Sequence, residues 1–184
     1  MILIISGTNR PNNYSRKMAL QMQKMLEQGG QDSKVLSLED LPSDMPVSDM
    51  FGNRSPVMKN VIKTLITPAK ALMIVAPEYN GSYPGILKVF LESLSDDDDW
   101  KIMEGRSVML VGVSAGRAGN LRGLDHLTSV LHYMGLPVFH EKLALPGIVK
   151  ILSEDGAWID QRSKAVLQRR MDAFILSLKC HGRG

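Results

Sequence analysis

Residues 70–85 read Lys-Ala-Leu-Met-Ile-Val-Ala-Pro-Glu-Tyr-Asn-Gly-Ser-Tyr-Pro-Gly. The apolar run Ala71–Ala76 is too short for a helix and reads as a strand buried on both faces. It stops at Pro77, which has no amide hydrogen to continue a sheet ladder, and Asn80, Gly81, Pro84 and Gly85 are turn formers. From Ile86 the spacing changes to three and four, through Leu87, Phe90, Leu91 and Leu94, with Pro84 placed at a helix start. Strand, polar loop, helix is the repeating unit of an open α/β sheet. Ligands of such sheets bind in loops at the carboxyl ends of strands, so residues 77–82 are the first candidate site.

The same unit recurs on either side. Ile2–Ile5 is a short apolar strand, followed by a polar loop from Ser6 to Ser15 and a helix marked by Met18, Met22, Met25 and Leu26, which Gly29-Gly30 closes. Lys34–Leu38 is a second strand whose partial alternation places it near an edge. Residues 39–54, rich in Asp, Ser and Pro, read as a long connection over the surface. Ser55-Pro56 opens a helix carrying Val57, Val61, Ile62, Leu65 and Ile66, and Pro68 ends it. Ser107–Val113 is a fourth strand, its loop is 114–119, and Leu121, Leu124, Leu127, Leu131 and Met134 form the next helical stripe. Pro137–His140 supplies a short fifth strand, Leu143–Ile151 is ambiguous, and Leu167, Met171, Phe174, Ile175 and Leu178 mark the last helix. The acidic run Asp96–Asp99 reads as a solvated loop rather than a metal site.

Strands alternating with helices imply an α/β fold: a doubly wound five-stranded parallel sheet in the order 2-1-3-4-5, with helices on both faces, in a single domain over residues 1–184. In that order strands 1, 3 and 4 are neighbours. The loops 7–15, 77–83 and 114–119 then meet at one rim, beside the switch point between strands 1 and 3.

Composition narrows the function. A chain of 184 residues with 44% hydrophobic and 22% charged residues is an ordinary globular domain. The net charge of +3 comes from scattered Lys and Arg interleaved with acids, which argues against nucleic acid and suits an enzyme that attracts anionic cofactors. Cys180 stands alone, so a disulfide framework is excluded. No signal peptide or membrane-spanning stretch is legible, and the expected setting is soluble and cytoplasmic, with no membrane partner. The four His residues are not spaced as metal ligands, and no metal is expected.

The first loop places Thr8, Asn9, Arg10, Asn13 and Ser15 ahead of a helix N-terminus, where unsatisfied amides and the helix dipole attract phosphate. Taken alone, it reads equally as an anion site or as a polar turn with Ser15 as N-cap; beside the other two loops, phosphate is favoured. It is neither a Walker loop nor a dinucleotide fingerprint, because no Gly-Lys-Ser/Thr follows and Gly7 stands alone. The second loop offers backbone amides, Asn80 and the Tyr79 ring to the edge and face of a planar heterocycle. Glu78 reads as a surface carboxylate or subunit contact rather than a catalyst.

Ser6-Gly7-Thr8-Asn9-Arg10-Pro11, the run Pro77-Glu78-Tyr79-Asn80-Gly81-Ser82-Tyr83-Pro84-Gly85-Ile86-Leu87-Lys88 and Ser114-Ala115-Gly116-Arg117-Ala118-Gly119 together resemble the three motifs of the NAD(P)H-dependent FMN reductase family. That family has the flavodoxin-like fold and includes quinone, azo and chromate reductases. The similarity runs over about residues 1–140, and the middle motif is the specific one. The resemblance implies that Thr8, Arg10, Asn13 and Ser15 hold the FMN phosphate. It implies that Pro77, Glu78, Tyr79, Asn80 and Ser82 contact the isoalloxazine, and that Ser114, Gly116 and Gly119 line its other side. Asn13 stands where many members have Ser, and Asn120 where a second Gly is common. The implied activity is hydride transfer from NADPH or NADH to FMN and then electron transfer to a small-molecule acceptor, a quinone, free flavin, azo compound or metal oxyanion. No side chain serves as acid or base, and the implied assembly is a homodimer or homotetramer.

Two other readings compete. Gly112-Val113-Ser114-Ala115-Gly116 matches the nucleophile elbow of serine hydrolases, and Asp155 or Asp160 and His181 follow in the required chain order. His181 lies at the extreme C-terminus, however, and this reading leaves the first and second loops without a role. A non-enzymatic flavodoxin-type electron carrier is the second alternative; such carriers are acidic, whereas this chain is basic.

Overall fold

A computed structural model describes residues 1–50, 52–95 and 102–181 of the chain. Strands β1 (Ile2–Ser6), β2 (Ser33–Ser37), β3 (Ala71–Pro77), β4 (Val108–Ser114) and β5 (Leu143–Pro146) form one sheet in the order β2-β1-β3-β4-β5. Every pairing is parallel, with Ile4 opposite both Val35 and Met73, and Val75 opposite Val111. The expected doubly wound order is therefore the observed one, and β2 is an edge strand.

Alternation along each strand sorts side chains between two cores. Leu3, Ile5, Leu72, Ile74, Ala76 and Leu110 face one way, against α3 (Pro56–Val61), α4 (Gly85–Ser93) and α5 (Leu121–Tyr133). Ile2, Ile4, Met73, Val75, Met109 and Val111 face the other, against α1 (Tyr14–Gln28) and α6 (Gln161–His181). Because β1, β3 and β4 are covered on both sides, their sequences run apolar without interruption. The expected stripes supply the lids: Met18, Met22, Met25 and Leu26 on α1, Leu87, Phe90 and Leu91 on α4, Leu124, Leu127 and Leu131 on α5.

Three boundaries differ from the sequence reading. The expected strand Pro137–His140 is reduced to one bridge, Val138 with Val108, held by hydrogen bonds from the Val108 amide to Pro137 O and from the Phe139 amide to Val108 O, and the Phe139 ring lies edge-on to Phe174 at 5.5 Å. The edge resumes at Leu143–Pro146 beside the carboxyl half of β4, inside the stretch that the sequence left ambiguous. The connection after β2 is not merely superficial: a single turn, α2 (Met45–Ser48), buries Met45, and Asp49 is buried through hydrogen bonds from Ser48 Oγ and the Ser55 amide. The helix opened by Ser55-Pro56 widens into a π turn over Ile62–Ile66; in its first turn Val57 is exposed and Met58 takes the core place instead. The acidic run at 96–99 lies outside the described residues. No helix among the described residues is long and apolar enough to cross a membrane.

Candidate functional site

Loops after β1, β3 and β4 leave the same carboxyl edge of adjacent strands and enclose a cleft of about 450 Å³, within the usual range for ligand pockets. Of the sequence-derived candidates, Thr8, Arg10, Asn13, Ser15, Pro77, Glu78, Tyr79 and Ser114 line it. Asn80, Ser82, Gly116 and Gly119 do not; they shape the loops that do.

In the first loop the helix cap is Asn13, not Ser15. Its Oδ1 accepts the Arg16 amide at 2.7 Å and the Ser6 hydroxyl at 3.3 Å, while its Nδ2 donates to Arg10 O at 2.7 Å and to Glu39 Oε2 at 3.1 Å. Asn12, at φ 54°, makes the left-handed step that brings Asn13 into place. All the polar capacity of the Asn13 side chain is thus used inside the protein, leaving only its backbone to a ligand. Ser15, relieved of capping, is buried with its Oγ unpartnered. The Arg10 guanidinium is exposed and pairs with nothing among the described residues. Arg16 is not a second free cation: its burial opposes the charge, but hydrogen bonds to Asp40 and Glu39 outweigh that and raise its pKa.

The second loop is a two-residue reverse turn. Tyr79 and Ser82 exchange backbone hydrogen bonds of 2.9 and 3.0 Å across Asn80 (φ 51°) and Gly81 (φ 77°), the left-handed pair that an Asn-Gly dipeptide favours. The turn projects the Tyr79 ring back over the first loop, where its hydroxyl meets Thr8 Oγ1 at 2.7 Å. Ser82 Oγ turns to His126 Nδ1 on α5, 2.9 Å away.

The third loop is clamped to both neighbours. Asn120, fully buried and at φ 66°, donates from Nδ2 to Ala76 O and Pro77 O, and its amide donates to Glu78 Oε2 at 3.2 Å. A left-handed residue in this place explains how Asn stands where Gly is common, since Asn tolerates that region better than other side chains. The Glu78 carboxylate therefore has a structural partner in the adjoining loop. Gly112 must be Gly, because a Cβ there would lie 2.2 Å from Gly119 O. Ser114 Oγ accepts from the Gly119 amide at 2.9 Å and donates to Gly116 O at 3.1 Å, so its hydroxyl is bound into backbone and not to an imidazole.

A fourth wall was not anticipated. After β5, Gly147 (φ 63°) donates its amide to Gly116 O at 3.0 Å and starts a short turn that brings Ile148 and Val149 to the cleft. The signal available in the sequence was Pro146-Gly147, a strand stop followed by a left-handed residue, in the stretch left unassigned. Pro11, Asn12, Tyr14, Val113 and Ala115 complete the lining.

The arrangement has a cationic, hydroxyl-bearing end at the α1 N-terminus, whose first turn carries no acid, and a flatter end between Pro77–Tyr79 and Val113–Ala115 with Ile148 and Val149. FMN fits both. The unpartnered Ser15 hydroxyl, the exposed Arg10 and the open helix amides suit its phosphate; the slot suits a tricyclic ring.

The family described as NADPH-dependent FMN reductase matches residues 1–150. Among curated proteins the chain is similar to an NAD(P)H-dependent FMN reductase of Pseudomonas aeruginosa, with 25% identity over 176 residues covering 95% of this chain and 93% of the relative. It is also similar to a quinone reductase of Escherichia coli K12, with 25% identity over 178 residues covering 94% and 92%. Among solved structures, FerB from Paracoccus denitrificans, a flavoenzyme NAD(P)H:(acceptor) oxidoreductase, superposes with a TM-score of 0.80 at 23% identity, covering 98% of this chain and 97% of FerB. An NADH:FMN oxidoreductase in its apo form gives 0.73 at 22% identity, covering 96% and 88%. At these identities the two structures speak to the fold.

Proposed function

Because the chain belongs to the NADPH-dependent FMN reductase family, we propose that the cleft between the loops after β1, β3 and β4 is its FMN site, and that Thr8, Arg10, Ser15 and the α1 amides hold the phosphate. The protein is an NAD(P)H-dependent flavin oxidoreductase with FMN as cofactor. When bound, FMN would supply the redox chemistry, carrying reducing equivalents from NAD(P)H to the acceptor. The chain's own residues position and polarise. Arg10 and Ser15 anchor one end of the cofactor, and the Thr8–Tyr79 hydrogen bond fixes the loop that carries them. Pro77, Glu78 and Tyr79 line the slot for the ring, and the Asn80-Gly81 turn, closed by the Tyr79–Ser82 backbone hydrogen bonds, holds them there. Ser114 and Glu78 hold the third loop in shape. Hydride transfer calls for no acid or base from the protein, so no side chain is assigned a catalytic role.

The observation that carries the assignment of residues is the buried, unpartnered Ser15 hydroxyl at the α1 N-terminus, in the same cleft as Arg10, a cation with no partner among the described residues. A buried hydroxyl without a partner costs about 1–3 kcal/mol, and a phosphate oxygen removes that cost. The test is uptake of FMN against riboflavin by the flavin-stripped chain: FMN binding much tighter supports the phosphate site, and equal binding overturns it.

The proposal extends to a quinone or comparable small molecule as acceptor, to residues 1–184 as a single FMN-binding domain, and to a homodimer or homotetramer in the cytoplasm. Support for the assembly lies on α4 and α5, where Ile86 and Val89 are only partly covered, Leu121 is 55% exposed and Tyr133 is 92% exposed. A second subunit over these helices would add a wall beside the turn at 79–82. The exposed, unpaired thiol of Cys180 suits a reducing compartment. Sedimentation at micromolar concentration decides the assembly: a stable monomer that keeps flavin and activity on dilution contradicts it.

A further inference from the structure

The short 3-10 turn after the edge strand β2, Leu38–Asp40, belongs to none of the motifs read from the sequence, yet it sends one carboxylate into the phosphate loop. Glu39 Oε2 accepts one N–H of Asn13 Nδ2 at 3.1 Å; the other goes to Arg10 O at 2.7 Å. With both N–H bonds so directed, the carboxamide presents its oxygen to the Arg16 amide and the Ser6 hydroxyl. Asn13 thus joins four places at once: the end of β1, the Arg10 backbone, the first turn of α1 and the edge turn.

We propose that Glu39 is a positioning residue for cofactor phosphate: by fixing the orientation of Asn13 it holds the Arg10 backbone and the first turn of α1 in the geometry that receives the anion. The inference rests on the FMN reading above. Glu39 also meets Arg16 Nη1 at 3.3 Å, but both side chains of that pair are partly solvated, 39% and 23% exposed, and such pairs contribute little. Asn13 is buried, so an N–H left without its acceptor there carries a desolvation cost that no exposed ion pair matches. The carboxylate therefore acts chiefly as an acceptor for Asn13. Its negative charge beside an anion site is compensated by Arg16, which explains why an acid is tolerated so near.

The acceptor role and the charge role separate in substitution. Glu39→Gln keeps an amide oxygen for Asn13 and removes the charge, whereas Glu39→Ala removes both. Asn13→Ser keeps a hydroxyl to cap α1 but has no N–H to offer Glu39 across the loop. The experiment is equilibrium binding of FMN and of riboflavin to the flavin-stripped full chain of each variant. Riboflavin serves as the control for an intact ring site. The expected result is that Glu39→Ala weakens FMN about threefold to tenfold while riboflavin changes less than about twofold, the size of one hydrogen bond at the phosphate end. Glu39→Gln restores FMN affinity, and Glu39→Ala has no further effect on top of Asn13→Ser.

Three results overturn the proposal. If wild-type FMN is held more tightly than riboflavin and Glu39→Ala leaves that gap intact, Glu39 does not position the loop and the FMN site stands. If Gln is as damaging as Ala, the charge acts through Arg16 and the Asn13 route is wrong. If the wild type shows no gap between the two flavins, the phosphate assignment fails and takes this inference with it.

Discussion

The hydroxyl of Tyr79, in the loop after β3, lies 2.7 Å from Oγ1 of Thr8, in the loop after β1. Thr8 is fully buried, and its Oγ1 also accepts the Arg10 amide at 3.2 Å, so one side-chain oxygen ties the loop after β1 to the loop after β3. Two motifs 71 residues apart in sequence are thereby one structural unit. Tyr79→Phe should lower FMN affinity about fivefold, the worth of one hydrogen bond, in an equilibrium titration with flavin. Unchanged affinity would mean that the bond is incidental to the shape of the cleft.

Arg10→Ala should cost about 1–3 kcal/mol of FMN affinity, as expected of a charge-assisted hydrogen bond to phosphate. Riboflavin, which has no phosphate, should lose little. Paired titrations of the two ligands check this, and equal losses for both would place Arg10 elsewhere in the site.

Ser114→Ala should leave NAD(P)H-dependent quinone reduction within about tenfold, because it removes two loop hydrogen bonds and no reacting group. The same geometry says that a fluorophosphonate probe will not label the wild type: the Ser114 hydroxyl is engaged by the Gly116 carbonyl and the Gly119 amide rather than by an imidazole. Stoichiometric labelling at Ser114 would restore the hydrolase reading.

The sequence carried the sheet order and the two-faced packing because strands buried on both sides must be apolar throughout, and helices over them must show one stripe. It carried the loops through Asn80-Gly81 and Gly119, whose left-handed backbone marks turns, and through Gly7, where a Cβ would meet Val75 O at 3.1 Å. What it could not carry was partnership. Nothing local to Asn13 shows that its amide is taken by Glu39, 26 residues away, or that the nearby Ser15 hydroxyl is buried without a partner. Ile148 and Val149 escape a sequence reading for a related reason: Pro137–His140 has the composition of an edge strand but makes one bridge with β4, while the strand that leads into this wall, Leu143–Pro146, lies in a stretch without clear periodicity.

Gly112→Ala should be the more damaging of two superficially similar changes in the Gly-x-Ser-x-Gly run. Its Cβ would meet Gly119 O at 2.2 Å and Asn120 Cβ at 3.2 Å, both in a loop clamped to β3 and β5, whereas a Cβ at Gly116 meets nothing within 4 Å. Denaturant titration should show a loss of about 1–3 kcal/mol or more for Gly112→Ala, from overpacking, and a change within about 0.5 kcal/mol for Gly116→Ala. Equal losses would contradict the close approach of the two loops.

The central claim is that this cleft holds FMN and that the bound flavin passes electrons from NAD(P)H to a small acceptor. Its most direct test is the absorbance spectrum of the protein loaded with FMN and freed of excess ligand, followed anaerobically through additions of NADPH and then of a benzoquinone. The account predicts a flavin band from one FMN per chain, bleached by NADPH and restored by the quinone; a colourless protein that takes up no FMN, or a bound flavin that NADPH and NADH both leave oxidised, would contradict it.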